Sequence, residues 1–193
     1  MNIRIAKTWH WSSCVMIHDQ YAINRYSATV EMRTHGEQDS YHAVAMERQA
    51  WWFNDVMQNC LLIDYGHHQL ESFYQTGQRV VVLPYAPVDH VVLIMLFCKL
   101  NAIMGGHLIV DEIHLSSDLG SGVVYSHGSE DVLLDFDSDG WWCENHAIWA
   151  NLPGPSDDRV IALDRSPNWH DLGLSWDQEP CDSQVVDFRH DKK

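Results

Sequence analysis

Over residues 3–11 apolar and polar side chains alternate, with Ile3, Ile5, Trp9 and Trp11 on one face and Arg4, Thr8 and His10 on the other. Residues 26–34 alternate more cleanly, Tyr26, Ala28, Val30 and Met32 opposing Ser27, Thr29, Glu31 and Arg33. A period of two predicts half-buried strands, and two in succession predict an antiparallel pair. After a polar turn at 35–40 the period changes. Met46, Ala50, Phe53, Met57 and Cys60 recur at spacings of four and three, which predicts an amphipathic helix over 43–62. Pro87 opens a second helix and Gly105 and Gly106 end it. Its run VVLIMLFC is apolar all round, so it must lie deep against a sheet or a subunit neighbour. A third strand is predicted over 108–115, with Leu108, Val110, Glu112 and His114 on one face, and a short fourth over 123–126. The order ββααββ predicts an α+β fold: a four-stranded antiparallel sheet with two helices on one face.

From Glu130 onward the pattern weakens. DVLLDF, WWCENHAIWANL and RVIAL suit three short strands, NLPGPSDD reads as a loop, and the tail beyond Pro167 as coil. Charge sharpens this division. The chain of 193 residues carries a formal net charge of −15, and 15 of its 27 acidic but only 5 of its 12 basic side chains lie from Glu130 on. The organisation expected is a domain over 1–127 and an acidic, Trp-rich extension over 128–193.

Composition excludes several classes of function. No Lys/Arg cluster exists, so nucleic acid is not an expected partner. The longest unbroken apolar run, 91–98, is too short to span a bilayer. The opening MNIRIAKTWHW has no apolar signal segment, and the five cysteines form no CxxC pair, so the expected location is the cytoplasm. Neither GxGxxG nor GxxxxGK is present, which removes the dinucleotide and P-loop readings. Asp135, Asp137, Asp139 and Gly140 match the first half of a calcium loop, but its twelfth position is His146 instead of a bidentate Glu. The same residues suit a hairpin turn, and calcium is not expected there.

Four short segments then fall in a familiar order: Val44-Ala45-Met46-Glu47, Ile63-Asp64-Tyr65 with Leu70-Glu71, Pro87-Val88-Asp89-His90, and Val110-Asp111-Glu112-Ile113. With the ββααββ order, they make residues 1–127 resemble the tunnelling-fold 6-pyruvoyl- and 6-carboxy-tetrahydropterin synthases. The resemblance implies that Glu112 anchors a pterin- or purine-like heterocycle and that Cys14 acts as nucleophile, with Asp64 and His67 completing the catalytic set. It also implies zinc held by three histidines. The segment Cys14-Val15-Met16-Ile17-His18-Asp19-Gln20 matches the family's C-x-x-[LI]-H-G-H, with His10 upstream, but Gln20 replaces the last histidine. A second register, fixed on Tyr26, places Ala22-Ile23-Asn24 there and leaves no ligand. A catalytic zinc needs three protein ligands and an open position, so His10 and His18 are an incomplete set and little tightly bound zinc is expected.

The expected function is a divergent synthase-like protein that binds a pterin- or purine-like molecule at a subunit interface, its zinc chemistry lost. Two alternatives stay open: an active carbon–oxygen lyase on a dihydropterin triphosphate, and a non-catalytic structural or interaction protein. A homo-oligomer is expected, because the second helix is too apolar to face water.

Overall fold

A computed structural model describes residues 3–35, 39–126, 140–147 and 167–176. Strands β1 (Arg4–Ile17) and β2 (Gln20–Thr34) form one long antiparallel hairpin, in register from Arg4↔Arg33 to Ile17↔Gln20. His18 and Asp19 make its two-residue turn, with φ of 49° and 61°. Positive φ at both positions matches the right-handed twist of the flanking strands, and a short polar residue such as Asp tolerates it. Both strands run past the alternation that announces them. At Val15 and Met16 successive side chains are buried, because the sheet is covered on both faces at that end, and the period of two disappears from the sequence.

The sheet has six strands, where four were expected. Its order is β4-β3-β1-β2-β5-β6, with β5 at Leu108–Ser117 and β6 at Val123–Ser126. The antiparallel set β1, β2, β5 and β6 is present. The two additions, β3 (Leu61–Asp64) and β4 (Val80–Leu83), run parallel to β1. They carry LLID and VVVL, short continuous apolar runs of the kind that strands buried on both faces show. Alternate residues serve two cores. Leu62, Val81 and Leu83 join the main core, while Leu61, Ile63, Val80 and Val82 pack with Met16 against Phe73 and Tyr74.

The first helix also differs from expectation. Helix α1 (Asp39–Trp51) passes into a π-helical turn, Trp52–Met57, and the chain then enters β3. Cys60 thus continues the helical stripe in sequence but sits just before a strand, and Leu61 and Leu62, the last residues of the expected helix, begin β3. A short helix α2 (Leu70–Gln75) connects β3 to β4 and carries Phe73 and Tyr74 of the second core. Helix α3 (Asp89–Ile103) is buried from Val91 through Phe97, filled in by the sheet, by α1 and by Trp141 and Trp142. Its apolarity is therefore covered within the chain, and the reason it offered for a homo-oligomer falls away.

Two cations fix the described parts of the acidic extension to these helices. Residues 141–147, expected as strand, form a 3-10 turn, Trp141–Cys143, followed by bends. Lys99 of α3 donates from Nζ to the carbonyls of Trp141 (3.1 Å), Glu144 (2.9 Å) and His146 (2.7 Å). Arg48 of α1 donates from Nε to the Leu174 carbonyl at 2.8 Å and from Nη1 to the Ile103 carbonyl at 3.0 Å. Its guanidinium lies over the rings of Trp169 (4.6 Å) and Trp176 (3.7 Å). The segments DVLLDF and RVIAL, with Asp135, Asp137 and Asp139, lie outside the described residues.

Burial pushes the Lys99 ammonium down to about 7, against the charge of Glu144, so keeping it charged carries a cost. The three carbonyls, one for each ammonium hydrogen, offset part of that cost. Lys99→Met keeps the bulk and removes the donors, stranding three carbonyls. The expected loss is about 2–3 kcal/mol in urea unfolding. A change below about 0.5 kcal/mol would mean that the aromatic packing alone holds the segment.

Candidate functional site

One face of the sheet lies under α1 and α3. On the other, α2 covers only the β4-β3-β1 end, and the rest is a polar surface shared by β1, β2, β5 and β6. Two depressions lie on this surface. One, of about 440 Å³, includes His10, Arg25, Ser27 and Ser116 in its lining. The other, of about 400 Å³, is lined by Arg4, Glu31, Arg33, Asp111 and Glu112 among others.

Glu112 reaches this surface through an irregularity. Opposite β2, Glu31 pairs with Glu112 but the next residue, Met32, pairs with Val110, so Asp111 is an extra residue in β5. A bulge of this kind reverses the alternation beyond it. Leu108 and Val110 point into the core, and Glu112 and His114 point away from it, although simple alternation puts all four on one face. The carboxylate is held from two sides. Ser126 of β6 donates from Oγ to Oε2 at 2.7 Å, and His114 Nε2 contacts Oε1. The Ser126 bond, then the His114 bond, hold the Glu112 acid below its ordinary value of 4.5. Beside it Arg33 pairs with the bulged Asp111 at 2.9 Å.

The two histidines that the resemblance offers to zinc, and Cys14 as the nucleophile between them, do not converge. His10, Cys14 and His18 are strung along the hairpin, each four positions from the next, or ~13 Å at the rise of a strand. His10 and His18 are thus ~26 Å apart along the chain direction. Gln20 opens β2 beyond the turn. No three-ligand site can form from these positions, and the zinc implied by the resemblance does not fit them.

The expected catalytic residues come only partly together. Asp64 ends β3 and His67 follows in the turn, its N–H donating to the Asp64 carbonyl at 3.2 Å. Cys14 is level with Leu61, three residues earlier and ~10 Å away along the sheet. It packs half-buried against the second core. Its neighbour is Tyr21, whose phenol is raised above the ordinary value first by a hydrogen bond with the Cys14 thiol, with Gln78 acting the other way.

Sequence reasoning missed a cluster at the hairpin end. The Asp19 carboxylate, at the tip of the turn, lies 3.0 Å from His67 Nε2 and 3.5 Å from His68 Nδ1. The two imidazoles stack at 4.8 Å. Asp19, His67 and His68 form one of two described groups whose ligand atoms all lie within 4.8 Å of one another; Glu31, Glu112 and His114 form the second. The adjacent histidines were the visible signal. Asp19, 48 positions earlier, carries none.

No family model matches the sequence, and no curated protein matches it. Among solved structures, an uncharacterised protein from Wolinella succinogenes superposes with a TM-score of 0.46 at 11% identity, covering 66% of this chain and 99% of its own. A catalytic-residue mutant of Plasmodium vivax 6-pyruvoyltetrahydropterin synthase superposes at 0.39 and 6% identity, covering 65% and 96%. At these scores neither likeness assigns a function.

The Glu112 contacts set a pH dependence. A lowered acid value means that the stabilisation is complete above 4.5, the ordinary value, and is lost as pH falls through the lower folded value. A carboxyl-detected NMR titration should place the Glu112 midpoint below 4.5. Ser126→Ala should move it upward, since the largest contribution is removed. A midpoint unmoved by that change would show that the Ser126 bond does not form in solution.

Proposed function

We propose that this chain binds a small planar heterocycle of pterin or purine type on the uncovered sheet face, with Glu112 accepting its N–H donors. The observation that carries this reading is the outward, held and ionised carboxylate of Glu112 beside the 400 Å³ depression. Each carboxylate oxygen has two lone pairs, so the bonds from Ser126 and His114 leave room for two more donors. Fixing the acceptor before the ligand arrives lowers the ordering cost of binding. Arg4 and Arg33 line the same depression and suit the carbonyl or acidic edge of such a ring. Binding is favoured over lyase chemistry because Cys14 and Asp64 are ~10 Å apart and the zinc set is absent from one place. In this reading a second copy of the chain covers the open face and closes the site, which places Glu112 at a boundary between subunits.

Calorimetric titration of wild type and Glu112→Gln with pterins and guanine tests the ligand. Wild type should bind at least one, and the variant about tenfold more weakly or worse, with its circular dichroism unchanged. No binding by wild type, or equal binding by both, would remove Glu112 from the role of anchor.

Light scattering at micromolar concentration addresses the second copy. A dimer or larger assembly is the expected result. A strict monomer would confine the site to one chain.

A further inference from the structure

The cluster at the hairpin end lies apart from the Glu112 face. Asp19 and Glu31 are separated by twelve residues of β2 and its turn, roughly 40 Å along the sheet. Its members come from two elements that only the fold joins. Asp19 is presented by a two-residue turn that pairing of the whole hairpin holds in place, and His67 and His68 follow the end of β3.

We propose that Asp19, His67 and His68 bind a divalent transition ion of the zinc class. Metal–ligand bonds of about 2.0–2.2 Å at a tetrahedral centre place neighbouring ligand atoms about 3.3 Å apart. The Asp19 oxygen lies 3.0 Å from one imidazole nitrogen and 3.5 Å from the other, on either side of that value. Two neutral imidazoles and one carboxylate are a donor set that selects zinc, cobalt or nickel over calcium or magnesium.

A separate observation points to a missing partner. The His67 side chain is only 6% exposed and its Nε2, although near Asp19, makes no aligned hydrogen bond. A buried ring nitrogen without a partner carries the cost of its lost hydration, and an ion at the centre of the cluster removes that cost. His67 Nδ1 accepts the Gln69 N–H at 3.2 Å, which leaves the ring proton on Nε2 when no ion is bound. Coordination through Nε2 moves that proton to Nδ1, which keeps the imidazole neutral. The Gln69 N–H is then given up to water, which reaches it because the bond is exposed. Asp19 (69%) and His68 (67%) are exposed enough for an ion to enter from solvent. Three protein ligands leave a fourth position open, the arrangement of a site that takes water or a further ligand.

The test is titration of the chelator-treated full chain with Co²⁺, followed by its visible ligand-field bands, and then displacement by Zn²⁺. One equivalent should bind, and excess Mg²⁺ should not compete. His68→Ala and Asp19→Asn, both at exposed positions, should weaken binding at least about tenfold; His67→Ala should do the same where it folds. His10→Ala should leave the titration unchanged. Absence of the bands in wild type, or bands that survive both exposed-site variants, would overturn the proposal. Loss of the bands in His114→Ala alone would move the ion to the Glu31, Glu112 and His114 group and overturn it equally. None of these readouts depends on a heterocycle, so failure here leaves the Glu112 reading untouched.

Discussion

Residues 4–34 are a single hairpin, and the remainder of the sheet grows outward from its two edges. β3 and then β4 add in parallel beyond β1, and β5 and then β6 add in antiparallel beyond β2. Shifting the β1–β2 register by one residue would turn either Trp11 and Val15 of β1 or Ala28 and Val30 of β2 toward solvent. It would also move the Asp19 turn away from the loop after β3. The hairpin thus sets both the core and the position of the polar groups at its ends. Trp9 stacks on Phe53 and Trp11 on Tyr26, at 5.1 and 5.0 Å, which ties this register to the π-helical turn as well.

The inner layer is closed by the described segments of the acidic extension, 140–147 and 167–176, which themselves carry one acidic residue each, Glu144 and Asp171. Neither Arg48 nor Lys99 belongs to a recognisable motif, yet each is 2% exposed or less and each ends on main-chain carbonyls of the extension. Carbonyl acceptors are fixed by the backbone path, so a buried cation that needs them specifies where the passing chain must lie. Trp141 and Trp169 supply the apolar area, and each also donates its indole N–H, to the Val82 and Asn145 carbonyls at 2.9 and 2.8 Å. Four tryptophans in two described segments account for part of the excess of this residue in the composition.

What could be read from the sequence was whatever alternates or recurs on one face. The hairpin, α1, β5 and β6 declare themselves because one side of each meets the core and the other a different environment, and α3, buried all round, is bounded instead by Pro87 and by Gly105 and Gly106. β3 and β4 do not, because LLI and VVVL are buried on both sides and leave no periodicity to distinguish a strand from the end of a helix. The bulge at Asp111 was equally silent. It is set by the pairing of β5 with β2, and it alone decides that Glu112 faces outward while Val110 faces the core. At the candidate sites, residues close in sequence were legible and residues joined by the fold were not.

The histidines of the family-like motif show why sequence spacing does not decide convergence. Four residues separate neighbours on one face of a helix by about one turn, but separate neighbours on one face of a strand by ~13 Å. His10 and Cys14 share a face of β1 as their even spacing requires, His18 lies beyond the strand in the turn, and the extended geometry keeps them out of reach of a single ion. Convergence in a sheet protein comes instead from where strands end. The loop after β3 and the β1–β2 turn meet because β1 and β3 run parallel and finish at the same level, Ile17 beside Asp64. Three chemically suited side chains are thereby gathered from positions 19, 67 and 68, at an end of the sheet where Asp19 and His68 are open to solvent and His67 is buried beneath them.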